Sequence, residues 1–347
     1  CRFCQAGMIY RPVRERSVTE LQDLALAIIE ATGYDELSLV SLSTGDYSGL
    51  ADLVEALLPE LQERRVALSL PSLRIDTFAV ELAEKIQTIR KTGLTFAPEA
   101  GTQRLRDVIN KNVTEEDLLR TVEAAFTAGW YNLKLYFMIG LPTETTEDLQ
   151  GIYELAQKVA DLGNLIKRQA GISKRINVTV SVSSFVPKAH TPFQWVAQNT
   201  REELQEKQRF LESLFRGARN LSLKYHEVET SFIEGVLARG DRQIATAIQA
   251  AWQRGAKLEG WSEFFSPERW SEAFQAAGID PAFYANRTRH FTEVLPWDVI
   301  DSGIDKAYLL EEYRQALRGQ PTADCRSGCT DCGVCPNLKV ANRLVYR

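Results

Sequence analysis

Cys1-Arg2-Phe3-Cys4-Gln5-Ala6-Gly7-Met8-Ile9-Tyr10-Arg11-Pro12 opens the chain, and its first four residues decide how the rest is read. A C-x2-C pair brings two thiolates close enough to ligate one metal ion or one cluster. The aromatic Phe3 between them shields such a centre from water. Zinc knuckles and dithiol redox sites use the same spacing, so the pair alone leaves the chemistry open.

Composition narrows the choice. The chain has 347 residues, 44% apolar and 25% charged, the balance of a soluble globular protein with one large or two ordinary domains. A net charge of −5 argues against a protein that coats nucleic acid, although a local patch, and nucleic acid as a substrate, stay open. No apolar run approaches the roughly 20 residues needed to cross a bilayer. All six cysteines lie at the ends, at 1, 4, 325, 329, 332 and 335. Disulfide frameworks spread their cysteines through small cores; thiols gathered like this point to metal ligation and a reducing cytoplasm.

The fold follows from alternation. Ser17-Val18-Thr19-Glu20 is a capping box ahead of a helix that Gly33 ends. Strands are predicted over Leu37–Ser43, Val66–Leu70, Leu94–Ala97, Asn132–Ile139 and Ile176–Phe185, with helices between them over Leu50–Arg64, Phe78–Arg90, Glu115–Ala128 and Glu147–Ala160. Such βα units imply an α/β fold with a parallel sheet. Five units are too few for a closed eight-fold barrel. They fit a partial (β/α)6 TIM-like barrel whose first strand precedes Cys1. From Thr200 onward the pattern reads as helical, over Glu202–Arg219, Ser231–Ala238, Arg242–Arg254, Pro267–Ala277 and Lys306–Leu317. The expected divisions are a barrel core at 1–195, a helical domain at 196–320 and a four-cysteine tail at 321–347.

Ligands of parallel α/β layers bind at the carboxyl ends of strands. Ser43-Thr44-Gly45-Asp46 ends the first visible strand, and a capping Asp in a strand-to-helix turn accounts for it equally well. Pro98-Glu99-Ala100-Gly101-Thr102 ends the third, followed by the cations Arg104, Arg106 and Lys111; a solvated carboxylate and a basic helix face are the plain alternatives. Ile139-Gly140-Leu141-Pro142-Thr143-Glu144 ends the fourth. Ser184-Phe185-Val186-Pro187-Lys188 through His190-Thr191-Pro192-Phe193 ends the fifth, where His190 either fixes the loop or donates a proton.

Taken together these stretches resemble the radical S-adenosylmethionine (SAM) enzymes, over residues 1 to about 195. Cys1-Arg2-Phe3-Cys4 is similar to the tail of that family's C-x3-C-x2-C loop, which implies that Cys1 and Cys4 are the second and third ligands of a [4Fe-4S] cluster. The resemblance further implies that Ser43, Thr44, Gly45 and Asp46 replace a Gly-Gly-Glu-like turn and hold the SAM amine. Thr44 and Asp46 depart from the usual residues there. It places Glu99 on the ribose hydroxyls, Lys111 or a neighbouring cation on the SAM carboxylate, and Ile139 and Gly140 as backbone against adenine. The first cluster ligand belongs four residues ahead of Cys1. With no initiator Met either, the chain reads as a fragment.

Cys325-x3-Cys329-x2-Cys332-x2-Cys335-Pro336 sets four soft ligands within eleven residues. A structural zinc site would separate two knuckles by a longer loop. A second [4Fe-4S] cluster is expected here, independent of the first, with zinc as the alternative. The tail, with Leu295-Pro296-Trp297-Asp298, resembles a bacterial group of radical SAM proteins that carry a cobalamin-binding-type domain ahead of the cluster loop. Cobalamin would then belong to the full-length protein. The implied activity is reductive cleavage of SAM to a 5′-deoxyadenosyl radical, with electrons from a flavodoxin or ferredoxin and an unknown substrate. A cobalamin-dependent methyltransferase or an RNA-modifying methylthiotransferase is the alternative within the class. Outside it stands a non-catalytic metal-binding protein that docks a partner. The motif makes one prediction: a longer reading of the gene has cysteine four residues before Cys1. Sequencing that region checks it, and any other residue there contradicts the cluster assignment.

Overall fold

The structure, a computed structural model, describes residues 1–69 and 94–346. Among the described residues the strands are β1 (Glu36–Ser38), β2 (Ala67–Ser69), β3 (Leu94–Glu99), β4 (Asn132–Ile139), β5 (Asn177–Ser184) and β6 (Leu221–Tyr225). They form two parallel ladders, β1-β2 and β3-β4-β5-β6. The α/β architecture with parallel sheets is as the alternation implied. The helix expected over Phe78–Arg90 lies outside the described residues, as does Leu70 at the end of its strand.

The helices are α1 (Ala6–Ile9), α2 (Val18–Thr32), α3 (Leu50–Glu63), α4 (Gln103–Val108), α5 (Glu115–Thr127), α6 (Thr146–Gln169), α7 (Arg201–Phe215) and α8 (Val228–Arg239). They continue with α9 (Ile244–Gln253), α10 (Pro267–Ala277), α11 (Pro281–Ala285), α12 (Lys306–Leu317) and α13 (Val334–Leu338). No helix among the described residues is long and apolar enough to cross a membrane.

Pairing alternates the two faces of the larger sheet. Leu133, Leu135, Phe137 and Ile139 of β4, with Val178, Val180 and Val182 of β5, are buried against α5, α6 and α7. The opposite face carries Lys134, Tyr136, Thr179, Ser181 and Ser222, with the Lys134 ammonium 2.6 Å from the Tyr136 hydroxyl and Ser222 bonded to Thr179 at 3.1 Å.

Two elements depart from expectation. The stretch Leu37–Ser43 pairs only as β1, because the chain turns away after Leu39, whose N–H still donates to the Ser69 carbonyl at 3.0 Å. β6 lies in a stretch read as helical, so the sheet continues past residue 195. Its alternation (Leu221, Leu223 and Tyr225 against Ser222 and Lys224) is a strand signal, masked by the long helices around it.

The strand ends are held by buried carboxylates. Asp148, in the first turn of α6, is 2% exposed, accepts from the Thr102 hydroxyl and pairs with Arg104. Its backbone leaves no room beside Gly101, where a Cβ would lie 2.3 Å from the Asp148 carbonyl oxygen. The loop after β3 is thereby clamped to the start of α6. Burial pushes the Asp148 carboxyl up, but hydrogen bonds from Thr102 and the Thr145 N–H, with Arg104, outweigh it and hold the group below its usual range. A depressed folded-state pKa stabilises the fold above the ordinary carboxylate range and loses that contribution as pH falls through the folded value. Asp148→Asn should therefore cost about 1.5–3 kcal/mol at neutral pH, the worth of a hydrogen bond to a charged group. Denaturant unfolding in progressively stronger acid should show the gap to wild type closing; a pH-independent gap would contradict this account.

Candidate active site

The Cys1–Met8 loop is anchored by side chains other than its two thiols. Phe3 packs against Leu105, Val108, Ile109, Phe185 and Phe193, and Met8 against Trp195, Leu295, Trp297 and Leu309. Arg2 is wholly buried. Cys1 is left exposed and Cys4 half-buried, neither in a disulfide. The loop closes through the Cys4 N–H on the Cys1 carbonyl at 3.2 Å, and the Gly7 N–H points at the Cys4 sulfur from 3.3 Å. A backbone N–H aimed at a sulfur stabilises a thiolate there.

Glu99 and Lys111 meet beside this loop. Glu99 stands at a β-bulge after Phe96, with φ +68, unusual for a residue with a side chain. Its carboxylate lies 3.3 Å from the Lys111 ammonium, the side chains 17% and 15% exposed. Burial holds the Glu99 carboxyl above its usual range, although Lys111 pulls it down. The Arg2 N–H bonds the Ile109 carbonyl at 2.9 Å, which brings the cysteine loop against the segment leading to Lys111.

The other expected residues are placed differently. Ser43 precedes one turn of 3-10 helix, Thr44–Asp46, in which buried Thr44 donates to the Leu39 carbonyl at 3.0 Å. Asp46 is engaged by Arg326 of the C-terminal tail at 2.9 Å, on the wall of a cavity of about 550 Å³ that also includes Cys325, Cys329 and Tyr346. Arg104 is occupied by Thr143 and Asp148, and Arg106, buried, by the Ala100 carbonyl at 3.0 Å. Ile139 is buried in the core. Gly140, at φ +80, donates its N–H to Glu144 at 2.9 Å, and a Cβ there would meet Asn199 and Leu204 at 3.0 and 3.1 Å. Its lack of a side chain serves the packing of α7, with Glu144 buried and paired to Lys207 at 2.5 Å. Sequence reasoning passed over Glu144, Asp148 and Arg2; the Glu in Gly-Leu-Pro-Thr-Glu and the capping box at Thr145 were the available signals for the first two.

His190, also at positive φ (+55), faces Ser302 through Nδ1 at 3.4 Å, and its buried Nε2 has no hydrogen-bond partner. Burial holds its pKa down against Asp298 and Asp301. The preceding Ala189 carbonyl accepts from Gln5 of the cysteine loop at 3.1 Å.

In the tail, Cys332 is buried, Cys325 and Cys335 are half-buried, and Cys329 is exposed and turned to Asp331, whose N–H lies 3.4 Å from its sulfur. Among the described residues no three His, Cys, Asp or Glu side chains converge on one metal position. Burial pushes the Cys325 thiol up; Arg11 pulls it down, and Cys332 and Cys335 push it up again.

Residues 1–156 match the radical SAM superfamily. They are a radical SAM superfamily domain. An uncharacterised protein of Methanocaldococcus jannaschii, MJ0966, is 31% identical over 246 residues, 71% of this chain and 50% of that protein. The heme chaperone HemW of Bacillus subtilis is 25% identical over 162 residues, 43% of this chain and 42% of its own length. The chain thus spans about half the length of the curated relatives it matches. The crystal structure of SuiB from Streptococcus suis aligns with 67% of this chain and 48% of its own at 11% identity, with a TM-score of 0.43, too loose a likeness to bear on activity.

Superfamily membership implies a [4Fe-4S] cluster and SAM. The Cys1–Cys4 loop fits a cluster in donor type: one exposed and one half-buried thiol, the latter with an N–H aimed at its sulfur, on a backbone anchored from beneath. Lys111 lowers the Glu99 pKa, so Lys111→Met should raise it further. A carbon-13 titration of the Glu99 carboxyl reads this directly, and an unchanged or lowered value would show that the 3.3 Å pair is not what opposes burial.

Proposed function

We propose that the protein is a radical SAM enzyme that cleaves SAM reductively at the Cys1–Cys4 loop. The observation that carries this is the juxtaposition of the two loop thiols with the buried Glu99–Lys111 pair at the carboxyl end of β3. When bound, the cluster with SAM supplies the electron that breaks the S–C5′ bond and yields a 5′-deoxyadenosyl radical. The chain's own residues bind, orient and exclude water. Cys1 and Cys4 hold iron, Phe3 and the apolar wall behind it keep water from beneath the loop, and Glu99 accepts from the ribose hydroxyls.

Lys111 then has two roles: it opposes the effect of burial on the Glu99 carboxyl and lies close enough to attract the SAM carboxylate. Asp46 accepts the SAM amine in exchange for Arg326, whose side chain is 31% exposed and free to move into water. The tail cysteines form a second metal centre, and an external flavodoxin or ferredoxin supplies electrons.

The test uses full-length protein, reconstituted anaerobically and reduced with SAM. It should release 5′-deoxyadenosine, and Cys4→Ala should release none. Glu99→Ala and Asp46→Ala each remove a hydrogen bond to a charged group worth about 1.5–3 kcal/mol, so each should weaken SAM binding roughly 10- to 150-fold. A wild-type protein with its cluster intact that binds no SAM would overturn the proposal; normal SAM binding without both carboxylates would overturn the two residue roles.

A further inference from the structure

Arg2 stands between the two cysteines and plays no part in the chemistry above, yet it is the most completely engaged side chain of the loop. It is fully buried, and all five of its N–H donors have partners. Nε donates to Glu312 Oε2 at 3.0 Å, Nη1 to the Asp107 and Val108 carbonyls at 3.2 Å each, and Nη2 to the Gln320 carbonyl at 2.7 Å and the Thr322 hydroxyl at 3.1 Å. The other Glu312 oxygen accepts from the same Thr322 hydroxyl at 2.7 Å. Asn110 and Thr322 exchange a reciprocal pair of bonds, each 2.9 Å.

These partners come from two places. Asp107 and Val108 end α4, within the radical SAM domain and just ahead of Lys111. Glu312, Gln320 and Thr322 belong to α12 and the segment running into Cys325, well beyond residue 156. A planar five-donor fork satisfied at every position has one orientation, and its backbone carries both cysteines. The charge is balanced as well: Glu312, 5% exposed, neutralises the guanidinium of the residue that stands between the two cysteines in the chain.

We propose that Arg2 is the positioning residue of the cluster loop, and that through it the Glu312–Thr322 segment sets the placement and the local charge of Cys1 and Cys4. This rests on the reading that these cysteines ligate a cluster. Three consequences separate positioning from general stabilisation. Glu312→Gln keeps the shape but leaves the guanidinium uncompensated, and a positive charge nearby favours the reduced cluster, so the reduction potential should move positive. Arg2→Lys keeps the charge but loses the fork, so the loop should retain several-fold less iron. Thr322→Val removes one bond from each partner and should alter the cluster spectrum mildly.

The experiment is an anaerobic reconstitution of full-length wild type and the three variants. It measures iron content, the electron paramagnetic resonance spectrum of the reduced state and a potentiometric titration, with circular dichroism to confirm folding. A folded Glu312→Gln with the wild-type potential and spectrum overturns the proposal, as does Arg2→Lys with undiminished iron. Should Arg2→Lys fail to fold, the Glu312→Gln potential and the Thr322→Val spectrum decide. A wild type that takes up no iron removes this proposal together with the cluster reading. Variants that match a wild type which does load and cleave SAM remove this proposal alone.

Discussion

A guanidinium with no exposed surface is the constraint on which the arrangement of the site depends. Moving an ion out of water costs several kcal/mol even after relaxation, and the cost is repaid only when geometry is good and every donor is met. Arg2 meets that condition by drawing together the end of α4, the middle of α12 and the entry to the cysteine tail. Losing one partner of such a buried pair costs about 3–5 kcal/mol, because the other charge is left stranded. The loop that presents Cys1 and Cys4 is therefore held in one place by a charge that has no other way to be solvated.

The same device recurs at the strand ends. Asp46, Glu99, Glu144 and Asp148 all lie at or after the carboxyl ends of strands, and each is paired with a cation from elsewhere: Arg326, Lys111, Lys207 and Arg104. The pairs differ in depth, and depth separates architecture from binding. Glu144 and Asp148 are each 2% exposed and also accept turn N–H groups, so they hold the backbone. Glu99 and Asp46, at 17% and 19%, keep a route to solvent and hence to a ligand. An incoming ammonium at Asp46 has to displace only a partly hydrated arginine, whose contribution at such exposure is modest.

The fold was legible where signals are short-range. Alternating β and α patterns located β1 to β5, and Thr114-Glu115-Glu116-Asp117 caps the helix expected from Glu115, whereas the capping box at Thr145 went unread. β6 was missed although Leu221, Leu223 and Tyr225 alternate as a strand should, because five residues between long helices weigh little in a window of helical length. At the site, Glu99 and Lys111 were both picked out as flanking one short helix, but as holders of separate groups, and their ion pair is legible only in the structure. Gly140 could not be placed, since its closest neighbours, Asn199 and Leu204, lie about sixty residues on and leave no local pattern. Arg2 illustrates the limit: between two cysteines an arginine reads as a solvated spacer, and its partners begin more than a hundred residues away.

Distance along the chain also explains the tail. Read as a sequence it is an independent cysteine module; in the structure it is stitched to the first third of the chain. Arg343 and Val13 share a bond at 2.9 Å, the Val345 N–H bonds Glu15 at 2.8 Å, and the Tyr346 hydroxyl bonds Asp52 at 2.5 Å. Arg11 joins the two cysteine regions: its Nε bonds the Gly7 carbonyl at 3.2 Å while its Nη1 bonds Tyr308 at 2.9 Å, beside Cys332. Exposed pairs of this kind are individually weak. Their effect is collective, since Thr322, Arg326, Arg343 and Tyr346 touch the core at separate points and so fix the orientation of the segment between them. With Arg2 gripping its entry, Arg11 bonded on both sides and Arg326 on Asp46, the tail is tied to the cysteine loop at one end and to the turn after β1 at the other.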